Sequence, residues 1–168
     1  MSVVNIHTRR LGGTEDEVGA LIDGLGGDHD RLWPGDRWPS VRFDRPLGVG
    51  AIGGHGVMRY TVEQYEPGRW VRFRIIGPRG FDGFHEFTVR PDGADAVILC
   101  HLIVVRLRGS SRLTWPLALR WMHDACVEDL LDRAERAVTG SVRRPAGWSP
   151  AVRPLRALAR LAIAIAAR

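Results

Sequence analysis

Residues 84–107 read FHEFTVRPDGADAVILCHLIVVRL, and the meaning of this stretch decides the fold. Successive side chains of a strand point to opposite faces. From Phe84 to Arg90, Glu86, Thr88 and Arg90 take one face, leaving His85, Phe87 and Val89 on the other. From Val97 to Leu107, Arg106 sets the outer parity, so Val97, Leu99, His101, Ile103 and Val105 point inward. The intervening Pro91-Asp92-Gly93 is a turn signal, and the two runs therefore read as a hairpin. A turn centred on Gly93 pairs Val89 with Val97, Phe87 with Leu99 and His85 with His101, the last pair about 5 Å apart at Cβ. A one-residue slip would turn every apolar side chain outward and is excluded.

Working outward, Trp70 to Ile76 is a strand with Val71, Phe73 and Ile75 inside and Arg72 and Arg74 outside. It follows Val57 to Tyr65 through the turn Glu66-Pro67-Gly68, and Met58 and Tyr60 share the inward parity of Val62. Val41 to Phe43 and Val49 to Ile52 form a broken strand, and Val3 to Arg10 is the first strand. Thr14 and Glu17 have capping-box spacing for a helix reaching about Leu25, and Asp28 to Pro39 suits a short second helix or turn, then a loop. On the C-terminal side, Arg112 to Val138 carries a 3.6-residue apolar stripe of Leu119, Met122, Cys126, Val127, Leu130, Ala134 and Ala137, with His123 at its centre and Gly140 as its stop. Strands that run without alternating crossover helices cannot build a doubly wound sheet. The fold class is α+β: a helix-grip, with a curved antiparallel sheet wrapped around a long C-terminal helix. One helix cannot fill such a sheet, so an internal cavity is expected.

Three stretches carry a family likeness: residues 55–62 (HGVMRYTV) with Tyr65-Glu66-Pro67-Gly68; residues 80–83 (GFDG) with His85 and Phe87; and Trp121-Met122-His123-Asp124 through Asp129-Leu130-Leu131-Asp132. Together they resemble the SRPBCC branch of the START-like, Bet v 1-like superfamily, over about Val3 to Val138. That resemblance implies a pocket for a hydrophobic small molecule. The superfamily includes lipid carriers and polyketide cyclase/dehydrase-type proteins, and no residue pattern here singles out the cyclase activity.

Composition narrows the functional classes. The 168 residues suit one domain plus an appendage. Net charge is +5, yet every basic residue is Arg and they are scattered, without an aromatic-interleaved stripe or recognition helix, so no nucleic-acid partner is expected. Cys100 and Cys126 form neither a disulfide framework nor a CxxC motif, and the start lacks a signal-peptide core, which makes the cytoplasm the expected compartment. Gly48 to Gly53 matches G-x-G-x-x-G but precedes a strand instead of a helix, so its glycines read as bends in an edge strand. Neither a nucleophile elbow, a Walker A loop nor an H-E-x-x-H helix is present.

The candidate site gathers three imidazoles, His85, His101 and His123, from two strand parities and one helical stripe. They are the candidate catalytic or ligand-orienting groups; as buried structural histidines they would simply hydrogen-bond to backbone or water. A three-His zinc site would need all three rings within ~2.1 Å of one point, and neither metal nor cofactor is expected. Met58, Tyr60, Phe73, Phe87, Leu99, Ile103, Met122, Cys126 and Leu130 are the candidate ligand-binding wall, with Trp33, Trp38 and Trp115 at the mouth. The expected function is binding or carriage of a lipid, acyl chain or polyketide-like molecule. The alternatives are a cyclase/dehydratase-like enzyme using the cavity histidines, and a peripheral membrane or partner-binding protein. The last would act through the tail, contacting a membrane surface or a second copy. Residues 1–140 form the ligand-binding domain, 141–153 a flexible Pro/Arg-rich linker, and 154–168 a short basic amphipathic helix with Leu155, Leu158, Leu161 and Ile165 opposed by Arg153, Arg156 and Arg160.

Overall fold

The structure is a computed structural model and describes residues 1–158. Seven strands form one antiparallel sheet: β1 (Ser2–Gly12), β2 (Arg42–Phe43), β3 (Ile52–His55), β4 (Met58–Glu66), β5 (Trp70–Gly77), β6 (Phe81–Pro91) and β7 (Ala96–Leu107). Their order is β1-β7-β6-β5-β4-β3-β2, so β2 to β7 are a meander and β1 closes onto the last strand. Helix α1 (Glu15–Asp23) leaves β1 through the expected capping box of Thr14 and Glu17. The C-terminal helix comprises α2 (Ser111–Thr114), a π-helical turn over Trp115–Leu119, and α3 (Arg120–Thr139). Pro116 lacks the amide that a regular helix needs there. Gly140, in the left-handed conformation at φ 78°, ends the helix where the sequence placed its stop.

The core lies between the concave sheet face and α1 and α3. Val71, Phe73, Phe87, Leu99, Leu130 and Leu131 are all buried in it. Strand parities agree with the alternation, but the central register does not. Val89 pairs with Leu99, Phe87 with His101 and His85 with Ile103, two residues from the expected partners. Gly93 supplies the positive φ of 88° the loop requires, yet pairing persists to Pro91 opposite Val97, so the loop centres one residue beyond Gly93. An even shift preserves the inward face, which is why His85 and His101 remain on one side.

Strand β6 starts at Phe81, three residues before the expected start. Gly83 allows this: a Cβ there would lie 2.0 Å from the Val104 carbonyl oxygen. No second short helix exists among residues 28–39. Instead, the Asp30 carboxylate accepts the backbone N–H groups of Gly26, Leu32 and Trp33, making a side-chain turn that competes with helix formation.

The segment after Gly140 is docked rather than free, contrary to the flexible linker expected for 141–153. Arg143 pairs with Glu135, the Ala146 N–H donates to Asp132 at 2.7 Å, and the Trp148 indole donates to Asp129 at 3.0 Å. Val152 is buried against Trp38 and Cys126. Residues 152–158 are helical with Leu158 exposed, and the remainder of the expected amphipathic helix, including Arg160, Leu161 and Ile165, lies outside the described residues. No helix of the described residues is long and apolar enough to cross a membrane.

Candidate functional site

The sheet and α3 enclose a cavity of about 770 Å³. That volume falls within the ~300–1,000 Å³ typical of small-molecule sites. Its inner wall is made of rings: Tyr60 from β4, Phe81, His85 and Phe87 from β6, His101 from β7, Trp115 from the π turn and His123 from α3. Met58, Ile103, Met122, Cys126 and Leu130 complete the apolar lining, and Trp33 and Trp38 border it from the loop before β2. Phe73 and Leu99, expected on the wall, do not reach it. Both are fully covered in the core, where the Phe73 ring stacks on His85 at 4.8 Å.

The three expected histidines line this one cavity, with His101 5.6 Å from His85 and 5.2 Å from His123 between ring centroids. His55, at the β3–β4 hairpin, is a fourth that the sequence reading did not select; its ring lies 4.6 Å from Trp33. Burial, with the neighbouring imidazoles adding to it, pushes His55 down to about 4 and His85 to about 3, and carries His101 well below its ordinary value. These rings are neutral at neutral pH. Burial likewise raises the Tyr60 phenol and the Cys126 thiol, so both keep their protons.

His123 differs because its tautomer is fixed. Its Nδ1 lies 3.3 Å from Asp124 Oδ1, and a carboxylate can only accept, so the proton is on Nδ1. Burial lowers its pKa, and Asp124 offsets part of that. Its Nε2 and the Nδ1 of His101 are buried without a hydrogen-bond partner. Asp124 also accepts from Asn5 at 3.0 Å and from His7 at 3.2 Å. Burial opposes ionisation of Asp124, but hydrogen bonds from His123 and His7 outweigh it and hold the carboxyl well below the usual range.

Behind this wall runs a ladder between β1 and α3. His7 Nδ1 meets Glu128 at 2.7 Å, and Arg9 reaches Glu128, Asp132 and Glu135 at 3.0, 2.8 and 2.8 Å. Two residues of strand advance ~6.8 Å and four of helix ~6 Å, so Asn5, His7 and Arg9 step in near register with residues 124, 128 and 132. Burial would lower His7, yet hydrogen bonds to Asp124 and Glu128 raise it to about 9, leaving it an imidazolium at neutral pH. His7, His123 and Asp124 offer donor atoms within 4.8 Å of one another. A cation there would first have to displace the proton that joins His7 to Asp124.

The chain matches no protein-family model and no curated protein. Its fold does match solved structures. Norcoclaurine synthase from Thalictrum flavum superposes with TM-score 0.62 at 14% identity, covering 81% of this chain and 86% of that one. The shared fold is a helix grip, a curved antiparallel sheet around a long C-terminal helix. CalU16 from Micromonospora echinospora shares this fold at TM-score 0.57 and 17% identity, covering 98% of this chain and 88% of that one. XoxI from Bacillus cereus does so at 0.59 and 14%, covering 81% and 95%. One norcoclaurine synthase structure, at TM-score 0.57, 16% identity and coverage of 76% and 85%, contains dopamine and hydroxybenzaldehyde.

Proposed function

We propose that this START-like domain binds an apolar small molecule inside the cavity and carries or presents it. The observation that carries this reading is an interior space of about 770 Å³ walled almost wholly by aromatic and aliphatic side chains. Emptying such a wall of water in favour of an apolar ligand contributes roughly 25 cal/mol per Å² of apolar surface covered. The neutral dye N-phenyl-1-naphthylamine should fluoresce with the native protein and be displaced by competing apolar compounds. Filling the cavity with Ile103→Trp should remove the signal. Fluorescence that arises only under partly unfolding conditions, or that survives the filled variant, counts against the reading. Native mass spectrometry of gently purified protein then reads the mass of any retained ligand.

One observation favours a catalytic extension, in the cyclase/dehydratase-like class. His123 is a neutral imidazole with its tautomer set by Asp124, the arrangement a general base requires. A ligand that draws the His101 and His123 rings apart would meet their unpartnered nitrogens, and His85 stands beside them. Against a peripheral membrane role for the tail, its described part already packs on its own domain, Trp148 on Asp129, Val152 on Cys126 and Arg156 on Trp38. Equal recovery of the full chain and a version ending at Gly140 in liposome flotation would remove that role.

A further inference from the structure

Among the described residues, one group of side chains brings metal-ligating atoms together: His7 from β1 with His123 and Asp124 from α3. Their donor atoms lie within 4.8 Å of one another. His7 Nε2 and His123 Nδ1 stand 3.2 and 3.3 Å from the same atom, Asp124 Oδ1. Donors that share a tetrahedral ion at ~2.0–2.1 Å are ~3.3–3.4 Å apart, so two edges of the triangle are already close to the length an ion needs. The third edge, at most 4.8 Å, closes if the two imidazoles tilt toward each other.

The surroundings of this triangle are those of a metal centre as well. The far nitrogen of His7, Nδ1, meets Glu128 Oε1 at 2.7 Å, and a carboxylate behind a ligating imidazole fixes its orientation and raises its basicity. Asn5 Nδ2 donates to the same Asp124 oxygen at 3.0 Å, while Asn5 Oδ1 is buried without a partner. A half-turn of that amide exchanges the two atoms and aims the orphaned oxygen at the ion as a fourth donor. The nearby cations face other atoms: Arg9 pairs with Glu128 Oε2, Asp132 and Glu135, and Arg120 approaches Asp124 Oδ2 at 3.6 Å.

We infer that His7, His123 and Asp124 bind a divalent cation of the zinc type, with Asn5 completing the tetrahedron and Glu128 orienting His7. Two imidazoles suit zinc, cobalt or nickel, whereas magnesium and calcium call for oxygen donors in greater number. The ion pins β1 to α3. It also acts on the cavity wall through His123: Nδ1 must give its lone pair to the ion, so the proton of the neutral ring moves to Nε2. The nitrogen that accepts in the metal-free protein thereby becomes a donor, beside His101, whose ring centroid is 5.2 Å away and whose Nδ1 is buried without a partner. The site stands whether or not the cavity holds an apolar ligand.

The test uses the full chain, stripped with a chelator and buffered above neutrality. Calorimetric titration with Zn²⁺ should give one site per chain, Co²⁺ should develop the visible absorption of a four-coordinate site, and Mg²⁺ should do neither. Glu128→Gln, which leaves every donor atom in place, should weaken Zn²⁺ binding roughly 10–100-fold, and Asp124→Asn should weaken it further. His29→Gln and His85→Phe, which each remove an imidazole outside the set, should bind as the native chain does. Long-range nitrogen–proton NMR of the Zn²⁺-loaded protein should show His123 protonated on Nε2 in place of Nδ1. Binding lost in His29→Gln, binding indifferent to both Glu128→Gln and Asp124→Asn, or a His123 ring still protonated on Nδ1 at saturating Zn²⁺ overturns the inference. So does a native chain that takes up neither Zn²⁺ nor Co²⁺. Circular dichroism checks that each variant folds, and Glu128→Gln keeps the test decisive if Asp124→Asn does not.

Discussion

His7 has a carboxylate on each ring nitrogen, and that decides its charge. A pKa raised to about 9 means its contribution to stability is complete below the unfolded value near 6.5 and is lost as pH rises through about 9. The side chain is only 13% exposed, and the full contribution is on the order of 3 kcal/mol before solvent screening. His7→Gln should therefore lower the melting temperature at pH 6 and have little effect at pH 10, as thermal melts across pH will show. At the neighbouring position, Asp124→Asn leaves the shape and removes the obligate acceptor. Long-range nitrogen–proton NMR should then show His123 moving away from its Nδ1–H tautomer, and any turnover should drop by about 10²-fold or more. An unchanged tautomer in that variant would break the link between Asp124 and His123. Sequence alone made His123 visible through its place on the helical stripe. His7 was missed because its partners lie on α3, remote in sequence. The signal was the polar parity Asn5, His7, Arg9 facing acids at 124, 128, 132 and 135.

At the scale of elements, strands and long helix were legible because alternation and the 3.6-residue stripe are local patterns tied to one buried face. The hairpin register was legible only in parity: Gly93 marks a turn without stating how many residues close it. Phe73 and Leu99 show the same limit at the cavity, since a strand's inner face contains both wall and core, and the division depends on where α3 touches. The tail was misread for another reason. Its prolines signal an extended chain, whereas its docking depends on Asp129 and Glu135, acids buried on α3 that no apolar stripe reveals. Trp148→Ala should free residues 141–158 from the mouth. The expected result is faster release of bound N-phenyl-1-naphthylamine in stopped flow, with far-ultraviolet circular dichroism unchanged. Asp129→Asn, which removes the buried charge that accepts from Arg37 and from the Trp38 and Trp148 indoles, should lower stability by roughly 1–3 kcal/mol in urea denaturation.

For the whole molecule, the histidines shape stability from both sides. His55 and His85, with folded values of about 4 and 3, take up protons in the unfolded chain between those values and about 6.5, so stability falls as pH drops through that interval. His7 acts in the opposite sense above 6.5. Urea denaturation across pH should give a maximum near neutrality, and His85→Phe should flatten the acid limb while leaving the alkaline one. An acid limb unaltered in that variant would falsify burial of His85 as its cause. The meander from β2 to β7 is built from neighbours in sequence, but β1 is not: its strand partner is β7 and its ion-pair partners are on α3. During synthesis, therefore, the first strand leaves the ribosome and stays unpaired until Ala96–Leu107 have emerged, and its ladder remains open until α3 follows. Val4 and Ile6, 63% and 59% exposed even when folded, ride on that waiting strand. Until then the nascent chain presents a bare apolar edge, and β1 docking, which closes the longest loop, is the step where folding and aggregation compete.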